Sequence, residues 1–135
     1  MKFDDTITWL DGELYNHGAN FNEISSLVRR TTNLTNNSID IQYWVYDCVL
    51  NTSFDKRFQL LKQTILSVLN KNIVLTPTQM VSSQPNNIST LHKEAIQNKY
   101  EGVMVRSIDS LYDVGKRSSN LLKLIKILCS LYEQA

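Results

Sequence analysis

No stretch of this chain is long or apolar enough to span a bilayer, so a membrane-spanning helix is not expected. The N-terminus, "MKFDDTITWLDG", has acidic residues where a signal peptide needs an apolar run. Cysteine is scarce. Cys48 and Cys129 lie far apart with no CxxC or Cys/His cluster, which excludes a zinc site or a disulfide framework and predicts reduced core thiols. Net charge is nearly absent, at +1, so nothing draws the whole molecule toward nucleic acid and any anion site must be local. Internal repeats, low-complexity tracts and linkers are missing too. What remains is 135 residues, 42% hydrophobic and 20% charged, enough for one modest domain with its own core. A soluble, intracellular protein is expected, cytoplasmic or nuclear.

Elements alternate without a regular βαβ repeat. "ITWLDGELY" mixes β-branched, aromatic and polar residues and reads as a strand or strand pair. In "NFNEISSLVRR", Asn20 and Glu23 have capping-box spacing, and Phe21, Ile24, Leu27 and Val28 share one helical face. "IDIQYWVYDCVL" is the strongest strand, with Ile41, Tyr43, Val45 and Asp47 on one side and Tyr46 and Cys48 on the other. Ser53 is placed to cap a long helix whose Phe54, Phe58, Leu61, Ile65 and Leu69 recur at helical spacing. A short strand, "NIVLTPTQMV", is closed by Pro77. A helix with Leu91, Ala95 and Ile96 inward follows, then the strand "EGVMVRSIDSLY", a basic Gly/Ser loop and a last apolar segment. The pattern predicts an α+β fold with largely antiparallel sheets.

Four stretches place polar or aromatic groups where a fold alone does not need them. Asp11-Gly12-Glu13 interrupts a strand with two carboxylates, either a β-turn with a solvated acid or a glutamate poised for a sugar hydroxyl. Tyr46-Asp47 lies at a strand end, where a ring is either half-buried core or a stacking platform for a base. Glu101 and Arg106 bracket the apolar run Val103-Met104-Val105. They are the charged ends of a surface strand, or Glu101 is a carboxylate able to hold Mg²⁺. In "GKRSSNLLKLIK", Lys116, Arg117, Lys123 and Lys126 form a solvated basic face or a clamp for phosphate or a nucleic-acid backbone.

The order of these stretches resembles the ATP-dependent DNA ligases of the covalent nucleotidyltransferase superfamily, especially small viral and phage-type ligases. "LDGELYNHGANFNEISSLVRR" is similar to the family's third motif, "YWVYDCV" to its adenine-stacking motif, "YEGVMVR" to the fourth and "LLKLIK" to the fifth. "SLYDVGKRSSN" is similar to the basic stretch before the fifth. The resemblance implies that Glu13 contacts the ribose of ATP and that Tyr46 stacks on adenine, where the family often has phenylalanine. It implies that Glu101 binds Mg²⁺ and Lys123 the α-phosphate, both counted as catalytic, and that Arg106, Lys116, Arg117 and Lys126 meet phosphate or DNA. In such enzymes a lysine attacks ATP to form lysyl-AMP, AMP passes to a 5′-phosphate at a nick in duplex DNA, and the 3′-hydroxyl displaces it. These are reactions of DNA replication, repair and recombination.

The pattern also departs from the family. The nucleophile motif Lys-x-Asp-Gly does not occur, and Lys2-Phe3-Asp4-Asp5 lies too close to Asp11 to replace it. The second lysine of the fifth motif falls at Lys126, where the family's spacing points to Ile125. The expected organisation is therefore residues 1–126 as the later part of an adenylation domain, without nucleophile or OB domain, and 127–135 as a tail. Such a chain is expected to self-associate or to need a complementary polypeptide carrying the nucleophile. Two alternatives stay open: a non-catalytic nucleotide- or nick-binding module, and an RNA ligase or capping-type nucleotidyltransferase.

Overall fold

The strongest alternation in the chain becomes the centre of a sheet. In the computed structural model, which describes residues 7–33 and 40–125, the elements are β1 (Leu10–Tyr15), α1 (Phe21–Val28), β2 (Gln42–Cys48), α2 (Phe54–Ser67), β3 (Ile73–Leu75), α3 (Pro85–Gln97), β4 (Gly102–Arg106) and β5 (Leu121–Ile125). One sheet has the order β1-β2-β3, and β4 and β5 form a separate antiparallel ribbon. This is the expected α+β class. The pairing of β1 with β2 is antiparallel, but β3 runs parallel to β2, because α2 serves as the crossover a parallel pair requires.

Strict alternation fails inside β2, and the failure organises what surrounds it. Asp11 pairs with Asp47 and Gly12 with Val45, so Tyr46 is left over as a β-bulge. The extra residue shifts the facing of everything after it. Val45 and Cys48 therefore both enter the core, correcting the expectation that Cys48 shares the face of Tyr46. Gly12 is required by the same pairing: a Cβ there would meet the Trp44 carbonyl oxygen, the Tyr43 ring and Val45. The close approach this glycine permits is thus that of its neighbouring strand.

Helix α2 lays one stripe on the sheet. Arg57, Leu61 and Ile65, spaced four apart, are its buried residues, and the two aliphatic ones join Val45 and Cys48 in the core. Ile7, Tyr43, Ile73 and Leu75 pack against that cluster. Phe54 and Phe58 are half-buried, while Leu69 is exposed because the helix stops at Ser67. Ser53 stands at the N-cap without a side-chain hydrogen bond. The backbone N–H of Asp55 instead donates to the Ile108 carbonyl at 3.0 Å, so a distant loop fills a capping role.

Around this centre the other elements are lighter. The α1 capping box forms as its sequence predicts, with Glu23 N–H on Asn20 Oδ1 at 3.0 Å and Asn20 N–H on Glu23 Oε2 at 2.7 Å. The α1 face is not buried among the described residues, and Phe21 is exposed. Helix α3 begins with Pro85 at its first turn and rests on β4, with Leu91, Ala95 and Ile96 half-buried. Lys99 then takes a left-handed φ of 65°, turning the chain into β4. Strand β4 ends at Arg106, shorter than its sequence suggested. No described helix is long and apolar enough to cross a membrane.

Candidate functional site

A fully buried carboxylate on a strand demands an explanation, and Asp47 is one. It follows the Tyr46 bulge, and it accepts hydrogen bonds from three directions. Asp47 Oδ1 receives the Cys48 N–H at 2.8 Å and Arg57 Nε at 2.9 Å. Its Oδ2 receives Arg57 Nη2 at 3.2 Å and Arg106 Nη1. Arg57, also fully buried, places its Nη1 on the carbonyls of Thr52 at 2.5 Å and Ser110 at 2.8 Å. The Arg106 guanidinium sits over the Phe54 ring with Cζ 4.7 Å from the centroid. Burial lowers the pKa of both arginines, opposed for Arg106 by the charge of Asp11. Sequence reading missed Arg57. Its one signal was position, four residues before Leu61 on the stripe that packs inward.

Beside this node lies a group of phenols around Asp11. The Tyr112 hydroxyl donates to Asp11 Oδ2 at 2.7 Å. Burial first, and then that hydrogen bond and charge, push the Tyr112 pKa up to about 12. Tyr46 is likewise pushed up to about 12, by burial first, then by the charges of Asp11 and Glu13 and a hydrogen bond to Asp11. Both phenols are therefore donors across the neutral range. Glu13 is exposed on β1, opposite Trp44. Next to it a second aromatic group forms. Tyr15 meets Trp44 edge-on at 4.8 Å, His17 lies 4.6 Å from Tyr100, and Trp44 lies 6.3 Å from Tyr100.

Tyr100 leads directly to Glu101. The Glu101 carboxylate accepts the Lys123 ammonium at 2.8 Å, and both side chains are more than half exposed. Lys123 pairs with Met104 and Leu121 with Arg106 across the ribbon, so strand alternation puts Lys123 and Arg106 on one face. The structure thus brings Glu13 near Tyr46, Tyr46 near Arg106, and Glu101 onto Lys123. Arg106, read in the sequence as a phosphate or DNA contact, has its guanidinium on Asp47, with 15% of its side chain exposed. Lys116 and Arg117 stand exposed in the connection between β4 and β5 and pair with no carboxylate among the described residues. Lys126 and Cys129 lie outside the described residues. No three His, Cys, Asp or Glu side chains converge as a metal cage among the described residues. Glu101 by itself suits a cation shared with a ligand's phosphates, since Mg²⁺ is commonly held by one or two carboxylates plus phosphate oxygens.

This sequence and this fold have known relatives. A family model described as the ATP dependent DNA ligase domain matches residues 1–125. A DNA ligase of Methanothrix thermoacetophila is 28% identical over 132 residues, covering 90% of this chain and 24% of its own length. Among solved structures, a Lig E DNA ligase superposes with a TM-score of 0.74 at 23% identity, over 87% of this chain and 46% of its own. The adenylate form of Chlorella virus DNA ligase gives 0.67 at 21%, over 85% and 46%. The chain spans about a quarter or less of the length of the curated relatives it matches. A match that runs from the first residue through β5, carried on a shared α+β architecture, places this chain in the ATP dependent DNA ligase domain family.

Proposed function

We propose that this chain forms the nucleotide-binding part of an ATP-dependent DNA ligase that seals nicks in duplex DNA. The observation that carries the reading is a run of neighbouring side chains that crosses from one sheet to the other. The Glu13 and Tyr46 side chains on the first sheet lead through the Trp44–Tyr100 contact to the Glu101–Lys123 ion pair on the second. An exposed carboxylate on a strand suits the ribose hydroxyls, which are hydrogen-bond donors, and assigns Glu13 to the sugar. A phenol ring at a strand bulge assigns Tyr46 to adenine. Lys123 is assigned to the α-phosphate, and Lys116, Arg117 and Lys126 to phosphate or DNA backbone.

Mg²⁺, held by Glu101, would supply charge neutralisation on the phosphates when bound. The chain's own contribution is electrostatic positioning. Lys123 is assigned to the charge that builds on the α-phosphate as AMP is transferred, which a cation held there stabilises. Residues 1–126 make up this adenylation unit, with 127–135 as a tail. The 135 residues contain no Lys-x-Asp-Gly, so the lysine that attacks ATP is assigned to a polypeptide segment outside them.

The test is a titration of the folded chain with ATP and Mg²⁺, paired with incubation with α-labelled ATP and a denaturing gel. ATP binding without a labelled band is expected. Tyr46→Ala should weaken that binding by roughly 1–3 kcal/mol, the value of a base–aromatic stack. A folded chain with no affinity for ATP sinks the reading, and a labelled band would mean that a lysine within these residues is the nucleophile.

A further inference from the structure

The proposed nucleotide site is divided between two sheets. Glu13 and Tyr46 belong to β1–β2, whereas Glu101 and Lys123 belong to β4–β5. Among the described residues no strand pairing joins the two sheets, so their relative placement rests on other interactions. These include Arg106 on Asp47, Arg57 on the Ser110 carbonyl, Tyr112 on Asp11, the Asp55 N–H on the Ile108 carbonyl, and the Tyr100 ring beside those of Trp44 and His17. Only the first of them reaches from a strand of one sheet to a strand of the other through opposite charges, and it ends on a carboxylate with no exposure to water. Arg106 is also flanked by the Phe54 ring at the start of α2. Its planar guanidinium has a fixed direction, so meeting both partners at once sets the position of its strand as well as its own.

We propose that Arg106 is a positioning residue: its bond to Asp47 fixes β4 against β2, and so holds Glu101 and Lys123 in place relative to Glu13 and Tyr46. The consequence for binding rests on the nucleotide-site reading, but the structural half is independent of any ligand. A ligand that spans both sheets gains from their alignment. A ligand that touches one sheet does not. ATP would engage both halves, adenosine only the first and tripolyphosphate only the second. Losing the alignment costs the joint binding, in the way that two linked binding modules lose their mutual reinforcement when geometry forbids simultaneous engagement.

The experiment compares the wild-type chain with Arg106→Met in two readouts, after a thermal melt confirms that the variant is folded. By NMR, the Trp44 and Tyr100 rings on the two sheets should separate in the variant, while Tyr15 and Trp44 within one sheet stay together. In titrations with Mg²⁺ present, ATP affinity should fall about ten-fold or more while adenosine and tripolyphosphate affinities stay unchanged. Arg106→Lys covers the case in which the methionine variant does not fold. It keeps a cation for Asp47 but lacks the planar fork, and the same split between ATP and its fragments is expected. Trp44 and Tyr100 still adjacent in the variant would overturn the proposal. So would an equal loss of ATP and tripolyphosphate affinity, which would make Arg106 a direct phosphate ligand. A wild-type chain that binds no nucleotide, with the two rings separated in the variant, would overturn the nucleotide reading and support the positioning role.

Discussion

Removing the Asp47 carboxylate should be among the costliest single changes in the described structure. Asp47→Ala leaves Arg57 fully buried with its Nε and Nη2 hydrogens unmatched, although Nη1 keeps the Thr52 and Ser110 carbonyls. It also strips the Cys48 N–H of its acceptor. Breaking a buried pair by removing one partner costs about 3–5 kcal/mol, because an uncompensated charge stays behind. The retained Nη1 bonds argue for the middle of that range, about 4 kcal/mol. Asp47→Asn keeps one acceptor oxygen but not the charge, and its NH₂ faces guanidinium donors, so it should recover only a minor part of that loss. Against a total stability of about 5–15 kcal/mol, the alanine variant sits near the unfolding threshold. Urea unfolding followed by far-ultraviolet circular dichroism measures the loss as a shift in midpoint at constant slope. The paired change Asp47→Leu with Arg57→Met should cost clearly less than the sum of its singles, since no buried charge is then stranded on α2. A loss below about 1 kcal/mol for Asp47→Ala, or strict additivity in the pair, would refute the account of the node as an obligatory charge pairing.

Alkaline pH should loosen the phenol group first. The Tyr46 and Tyr112 pKa values are raised in the fold to about 12 from the ordinary 10.0, so their contribution is complete below pH 10 and is lost as pH rises through 12. Thermal melts of the wild type and the Tyr46→Phe/Tyr112→Phe double variant should differ in their slope across that window, the variant showing the shallower decline. The Glu101–Lys123 pair is exposed, so Lys123→Ala should change stability by no more than about 1 kcal/mol in urea, while ATP affinity falls markedly in the same preparation. A stability loss that matches the affinity loss would make the pair structural. Gly102→Ala should destabilise the ribbon by about 1–3 kcal/mol, because the new Cβ would meet the Leu124 carbonyl. A midpoint equal to wild type would show that β5 can move aside freely.

What the sequence made legible was local. The α1 capping box could be read because its partners are three residues apart. The core positions of Leu61 and Ile65 followed from helical spacing, and β2 from alternation. The bulge at Tyr46 could not be read, since an extra residue in a pairing is a property of two strands, and composition alone does not set their register. Asp47 hid its role for a related reason: its partners lie 10 and 59 residues away. Among the site residues, Glu101 and Lys123 were singled out separately, one before a strand and the other on a strand, and their ion pair emerged only with the ribbon. Tyr112 and the rings of Tyr15, His17, Trp44 and Tyr100 carried no signal, because isolated aromatics in mixed segments look like ordinary core.

The wide sequence spacing of the node has a kinetic consequence. Strand β2, helix α2 and strand β3 are contiguous, and the Asp47–Arg57 pair closes within that unit. Arg106 arrives from 59 residues beyond Asp47, and the Tyr112 hydroxyl finds Asp11 across 101. Pairings of such separation demand that a long loop be closed before they return any energy, so they form late in folding. The central unit should therefore assemble first with one arginine already buried on Asp47, leaving a half-neutralised carboxylate oxygen as the landing point for the other. Mutations in the β4–β5 ribbon would then accelerate unfolding and leave refolding largely untouched, whereas truncating Leu61 would slow refolding itself.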